Sequence, residues 1–546
     1  MKNFTKRLAL LALLLLIAVP SALAYDIEEG GIYYCVSYGR AYVTYKDASF
    51  NSYSGDVVIP SQFTHDGETY TVLAIWDYAF NRCDNLTSVS IPNTVTEIGN
   101  TAFNLCPKLT SVSIPNSVTE IGNYAFDGCT ALETITIPNS VTKIGFSAFH
   151  ECTALTNVTL SNTLETIENS TFYGCTSLKN ITIPASVKTL ESQAFENCTS
   201  LENVTFSQGL ESIQNYAFRS CTSLKQITIP NSVETIGNDT FRESGLESIT
   251  IPNSVTAMGE RAFYECSELQ QAQIGNGVTE IKEHTFYRCI DMTTLTLGDH
   301  VETIGQRAFS GCSELTAVNI PNSVITLEND AFSFCHRLSS VVIGNGVQVI
   351  GDYAFHECDD LVNLVIGNNV KTLGVNAFYG CRALKTVKIP NSVESIGNCA
   401  FLQCNNLVQV NIGSGVTQIG YGAFAGNSKL TSITCHAMTP PSFVIDESWS
   451  QFNYNVYDQA TLYVPEGSIP AYSNAEVWKD FTHIQAIPDH IPGDVNRDGE
   501  VNIADINALI DAILSGNISD STFDVNGDSE VNIADINAVI DIILNQ

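Results

Sequence analysis

The chain has 546 residues, with 58 Asp and Glu against 25 Lys and Arg, and a net charge of −33. That length exceeds one ordinary hydrophobic core, so it requires several domains or a repeat array. A surface this acidic argues against nucleic acid and anionic membrane as partners.

Residues 1–24 read as a secretory signal. Lys2, Lys6 and Arg7 form the positive end, residues 8–19 the apolar stretch, and Ala22-Leu-Ala24 a small-residue cleavage site. The apolar run of about a dozen residues falls short of the roughly 20 needed to cross a bilayer. No later segment is apolar enough either, so the expectation is a secreted chain without membrane insertion. Residue 25 is Tyr, which leaves no cysteine at the cut for a lipid. Residues 25–76, with Tyr33-Tyr34, Asp56-Val-Val-Ile-Pro60 and Tyr70-Thr-Val, are rich in strand formers and are expected to form an N-terminal β cap.

Residues 77–437 repeat themselves. Phe recurs sixteen times from Phe80 to Phe424, always 23 residues apart except for 22 between Phe241 and Phe263. A fixed period of this size predicts a solenoid. In one unit, Val112 and Ile114 alternate with Ser111 and Ser113, a strand with one buried face. Pro115 lacks an N–H and ends it; in other coils Gly275, Gly298, Gly344, Gly367 or Gly413 stands there. Val118 and Ile121 turn inward again, Gly122 makes a corner, and Ala125, Phe126 and Cys129 close the third side. One coil cannot bury these residues alone, whereas stacked coils can. Sixteen of them at parallel-strand spacing span about 70–75 Å. Residues 438–487 break the period at Pro440-Pro441 and are expected to form a C-terminal cap.

The Ile-Pro-Asn-Ser-Val, Ile-Gly and Ala-Phe-x-x-Cys elements resemble the BspA-like class of bacterial leucine-rich repeats. The resemblance covers roughly residues 50–435. It extends to the flanks at Gly55-Asp-Val-Val-Ile-Pro60, Leu462-Tyr-Val-Pro-Glu-Gly467 and Trp478-Lys-Asp-Phe481. It implies a mainly β repeat solenoid and a role in surface adhesion and partner binding.

Fourteen of the seventeen Cys occupy one repeat position, from Cys83 to Cys404, with Ser244 and Asn427 substituting in two coils. Equivalent positions in stacked coils lie about one strand spacing apart, just outside disulfide reach. These cysteines are therefore expected to be buried, small and unpaired. The outward strand positions carry hydroxyls and amides, as in Thr110, Ser111, Ser113, Thr134, Thr136, Asn157, Thr159, Asn180, Thr182, Asn203, Thr205, Gln226 and Thr228. Such a face is open to a protein or glycan, although a solvated sheet favours Thr for its β propensity as well. The nine His keep no repeat phase, and no acid pair, nucleophile motif or phosphate loop is recognisable, so no catalytic residue is assigned and the chain is expected not to be an enzyme.

After a linker at 488–493, the tail at 494–546 contains one segment twice. Oxygen-bearing side chains fall at positions 1, 3, 5, 9 and 12 of two loops starting at Asp494 and Asp524, the spacing that wraps a calcium ion. An amphipathic helix follows each loop, carried by Ile503, Ile506, Leu509, Ile510, Ile513 and Leu514, then by Ile533, Ile536, Val539, Ile540, Ile543 and Leu544. No helix precedes the first loop, where Pro488 and Pro492 stand. Position 12 is Asp rather than the usual bidentate Glu.

These features closely resemble the type I dockerin, a small all-α calcium-binding domain. The resemblance implies two structural Ca2+ ions and attachment to a cohesin-like module. It implies side-chain ligands Asp494, Asn496, Asp498 and Asp505, and Asp524, Asn526, Asp528 and Asp535. Glu500 and Glu530 would offer backbone carbonyls, and Asn502 and Asn532 would act through water. The partner-binding residues by family position are Ile503, Ala504, Ile510 and Asp511, and their copies Ile533, Ala534, Ile540 and Asp541. Asp511 and Asp541 stand where cellulosomal dockerins often carry basic residues. Two helices this short have little core, so calcium is expected to be needed for folding. Ser529 replaces Gly at position 6 of the second loop, where a left-handed turn costs roughly 1–2 kcal/mol, so the second site is expected to be the weaker. The whole is expected to be a secreted, surface-associated binding protein. A structural spacer, or a noncatalytic subunit of a polysaccharide-degrading complex, is the alternative.

Overall fold

A computed structural model of the chain describes residues 24–446, 450–487, 493–496, 501–516, 518 and 521–544. The signal segment, most of the linker, Asp498 and Glu500 lie outside the described residues.

The described body is a β-solenoid with two parallel strand faces joined by a third side made of turns. Strands of three or four residues, such as Ser111–Ser113 and Asn180–Ile183, build the first face. Two-residue strands, such as Glu120–Ile121, build the second. Pairing is in register from coil to coil, as in Thr182↔Thr205 and Glu120↔Lys143. A shift of one residue would turn the whole apolar set outward, so the repeated alternation holds the register.

At the N-terminal end, Ile27–Glu29, Ile32–Ser37 and Arg40–Thr44 form an antiparallel meander. Arg40–Thr44 then pairs in parallel with Glu68–Ile75, which leads into the second face. Ser54–Val58 pairs in parallel with Asn85–Ser90 and opens the first face. At the other end parallel pairing runs past residue 437: Ser432–Cys435 pairs with Thr461–Val464, and that strand with His483–Ala486.

The core is one continuous column. Phe80 to Phe424 are buried and stack nearly parallel, with ring centroids 4.9 Å apart at Phe80–Phe103 and 5.7 Å at Phe401–Phe424. Tyr53 covers one end of the column, 4.4 Å from Phe80. Phe452 extends the other, 5.7 Å from Phe424 with rings 5° apart, and Trp478 and Phe481 pack around it. Phe452 lies outside the 23-residue register, and so the periodicity missed it.

The turn side is built from left-handed residues that are not glycine. Tyr124 has φ 54° and Leu105 φ 54°, and the same two positions recur along the solenoid. Each such residue costs roughly 1–2 kcal/mol. Hydrogen bonds between coils offset that cost: Tyr124 N–H to Phe146 O at 3.0 Å, Phe126 N–H to Ala148 O at 2.8 Å, and Gly128 N–H to His150 O at 2.9 Å. Gly122, expected to make a corner, is needed there for clearance. A Cβ there would sit 2.5 Å from the Asn100 backbone nitrogen. Asparagines after Pro and Gly bind the corners together, with Asn139 Oδ1 accepting from Asn162 N–H at 2.9 Å and Asn100 Oδ1 from Asn123 N–H at 2.9 Å.

The repeat cysteines are unpaired and buried. They are more than apolar filler, because from Cys106 onward each thiol donates to the Phe carbonyl of the coil before it. Cys106 Sγ lies 3.0 Å from Phe80 O, and Cys404 Sγ 3.3 Å from Phe378 O. Asn427 takes over this role with its amide, 2.9 Å from Phe401 O. Burial pushes the thiols of Cys198, Cys266 and Cys312 up to about 12. Since only the thiolate reacts, a thiol reagent at pH 8 should modify Cys35, which is half-buried, and spare the repeat cysteines, while denaturant releases all seventeen. Rapid native labelling of several repeat thiols would contradict this packing.

Candidate functional site

Two surfaces stand out: the paired loops and helices of the tail, and the outward side of the first strand face.

In the tail, helices Ile503–Ser515 and Ile533–Leu544 follow the two loops. Leu509 and Val539 are buried in a small core with Val495 and Val501. Val501 and Val531, at position 8 of the loops, pack into this core and so tie loop shape to helix packing. Asn502 and Asp505 form a capping box: Asn502 Oδ1 accepts from Ala504 N–H at 2.7 Å, and Asp505 Oδ2 from Asn502 N–H at 2.8 Å. Asn532 and Asp535 repeat it at 2.8 Å and 2.8 Å. Asn502 and Asn532, the two asparagines expected to act through water, also cap the helices.

Asp505 and Asp535 are fully buried. Beyond the cap, each binds the start of its own loop. Asp505 Oδ1 accepts from Val495 and Asn496 N–H at 2.8 and 3.0 Å, and Asp535 Oδ1 from Val525 and Asn526 N–H at 2.8 and 3.1 Å. Asp494 is also buried. In the second loop Asp524 accepts from Asp528 and Ser529 N–H at 3.0 and 2.9 Å, and Asn526 Nδ2 donates to Asp528 Oδ2 at 3.0 Å. Glu530 is exposed. Among the described residues, no three carboxylate, imidazole or thiol groups converge into a metal cluster. The position-12 carboxylates face amides instead.

The donor set nevertheless fits a hard cation. Every candidate is an oxygen ligand, and buried carboxylates backed by amides gain from an opposing charge. Ser529 takes φ 71°, as its place in the loop demands, beside Gly527 at φ 75°. Replacing Ser529 by Gly should therefore tighten calcium binding at the second loop by roughly fivefold, about 1 kcal/mol. An unchanged affinity in a calcium titration would remove this strain argument.

The helices expose matching stripes. Ile503 is 72% exposed and Ile533 71%, while Leu514 is 81% and Leu544 76%. Asn507 and Asp511 lie between the first pair, and Asn537 and Asp541 between the second, all exposed. Ala504, Ile510, Ala534 and Ile540 flank the stripes half-buried. Leu514 and Leu544, part of the apolar spacing of the two helices, complete the exposed rows.

On the first strand face, Ser111, Ser113, Thr134, Thr136, Asn157, Thr159, Asn180, Thr182, Asn203, Thr205, Gln226 and Thr228 are exposed, as are Thr110, Thr293, Thr294 and Thr296; Thr156 is half-buried. The ladder is interrupted at four places along the described face, and at one of them a whole strand is missing. Asn203–Phe206 ends one sheet and Ser248–Ile251 begins the next. Residues 226–229 run between them without a ladder, and a groove of about 1140 Å³ opens there.

The family model for the BspA type leucine rich repeat region matches in overlapping segments that together span residues 73–440. The type I dockerin domain model matches residues 492–544. Both families are binding and assembly modules, and no enzymatic domain is found. No curated protein matches the chain. Among solved structures, a leucine-rich repeat protein from Bacteroides ovatus shares 26% identity, with 77% of this chain and 100% of that one covered at a TM-score of 0.43. A leucine rich cell surface protein from Faecalibacterium prausnitzii shares 25%, covering 77% and 95% at a TM-score of 0.32. A leucine rich repeat protein of T. pallidum shares 28%, covering 37% and 91% at 0.33.

Proposed function

Because the chain belongs to the BspA type leucine rich repeat proteins and carries a type I dockerin domain at its C-terminal end, we propose that it is a secreted, non-enzymatic binding protein. Its solenoid contacts a protein or glycan through the first strand face, and its dockerin attaches it to a cohesin-bearing scaffold or surface. The duplicated exposed stripe Ile503–Asp511–Leu514 and Ile533–Asp541–Leu544 carries this reading. Apolar side chains this exposed, in two copies, form a ready contact surface. Proteins of both families are typically extracellular or surface-located, and residues 1–24 supply an export signal. No helix among the described residues is long and apolar enough to cross a membrane.

Calcium, when bound, supplies the positive charge that the loop oxygens lack. Asp494, Asn496, Asp498 and Asp505 would hold one ion, and Asp524, Asn526, Asp528 and Asp535 the other, joined by the Glu500 and Glu530 carbonyls. The chain itself does the rest: Asn502 and Asn532 cap the helices, and Val501 and Val531 join loop to core. The test is affinity capture of partners from the surface fraction of the source cells with the immobilised full chain. A cohesin-bearing protein retained in calcium and released by chelator is expected. Retention that ignores the chelator would contradict the reading.

A further inference from the structure

Along the first strand face, the two outward positions of each coil carry no charged side chain from Ser88 to Val365, in a chain with net charge −33. One row is threonine in six successive coils: Thr136, Thr159, Thr182, Thr205, Thr228 and Thr250. The other row holds Ser, Thr, Asn, Gln and a single Ala. Neither row contains Trp, Tyr or Arg over this stretch, the residues that usually anchor protein partners. A polyanion would need cations here, and a cationic partner would need acids.

The face is also broken open. The coil between Phe241 and Phe263 is one residue short, at Ser244-Gly245-Leu246. There the chain presses onto the coil before it, since a Cβ on Gly245 would lie 2.1 Å from Thr222 O. Among the described residues, no backbone hydrogen bond joins Gln226, Ile227, Thr228 or Ile229 to a neighbouring strand. The resulting groove is rimmed by Thr205, Gln226, Thr228, Asn253 and Gln273, with the half-buried Val204 and Phe206 also lining it.

We propose that this face, centred on the groove at Thr205, Gln226 and Thr228, binds an extended neutral polysaccharide lying along the solenoid axis. The proposal rests on the strand face being the contact surface named above. Hydroxyl and amide groups both donate and accept, as sugar hydroxyls do, and neither side carries charge. The apolar lining suits the C–H faces of pyranose rings. An extended β-linked hexose chain advances by close to one coil per sugar, so successive sugars meet the same threonine in successive coils.

The experiment is affinity electrophoresis of the calcium-loaded full chain in gels containing arabinoxylan, galactomannan or hydroxyethylcellulose, with polygalacturonate as the acidic comparison. Retardation by at least one neutral polymer is expected, unchanged by salt up to about 1 M, where surface charge is screened. Oligosaccharides of that polymer should bind more tightly with length, the hexamer at least about tenfold better than the dimer. The Thr205→Ala/Gln226→Ala/Thr228→Ala variant should weaken binding about tenfold at unchanged melting temperature, whereas Lys188→Ala/Glu211→Ala, on the second face, should not. Binding to polygalacturonate alone, or to no neutral polymer while calcium-dependent capture persists, overturns the glycan assignment and leaves the dockerin reading standing. Full binding by the triple variant overturns the strand face itself as the contact surface.

Discussion

Replacing both Ile503 and Ile533 by Asp is expected to abolish capture of the cohesin-bearing partner, whereas either replacement alone should cost no more than about twofold. The two helices carry the same exposed row, with isoleucines 72% and 71% exposed, so a partner that fits one fits the other. A single change removes one of two equivalent faces, a statistical factor. The double change places a carboxylate at the centre of every available contact, where an anchor residue commonly contributes 2–4 kcal/mol, so that about 100-fold or more should be lost. Asp at the first helical position favours the helix dipole, so the tail should stay folded, which circular dichroism checks. A single variant that loses capture completely would show that only one stripe is used.

Phe218→Ala should destabilise the solenoid by about 3–5 kcal/mol. The ring is fully buried between Phe195 and Phe241, at 5.5 and 5.6 Å. Coil-to-coil hydrogen bonds such as Phe218 N–H to Thr240 O at 2.9 Å hold the coils apart at this distance, so the cavity cannot collapse. Each coil touches only its neighbours, so the damage is local and urea unfolding should separate into two transitions. Limited proteolysis should cut first near residue 218. By contrast, Cys221→Ala removes one weak hydrogen bond to Phe195 O and should cost about 1 kcal/mol. A loss below about 1 kcal/mol for Phe218→Ala would mean that the column does not set stability.

The solenoid was legible because each element was written many times. Alternation at Val112 and Ile114, the Pro115 stop and the Phe ladder each recur, so their physics is averaged over sixteen coils. What escaped had no constant side chain to mark it. The left-handed turn positions hold Tyr124, Ser147, Gln193, Arg261 and His284, residue types with no shared turn preference. Phe452 fell outside the register, and the unpaired stretch 226–229, next to the one short coil, keeps the ordinary repeat residues and so carries no mark of its own. The thiol bonds to Phe carbonyls are invisible in a composition that reads Cys as apolar. In the tail, loop spacing marked Asp505 and Asp535 as candidate ligands, but not their hold on the loop backbone. Helical period placed Leu514 and Leu544 on the apolar side because it cannot tell a covered stripe from an uncovered one.

The central claim is that the tail is a calcium-closed plug, and isothermal titration of calcium into the chelator-stripped full chain tests it most directly. Two ions per chain are predicted, with the weaker assigned to the second loop and lost in Asp535→Asn. A chain that takes up no calcium, or binds the same number of ions after that substitution, would contradict it.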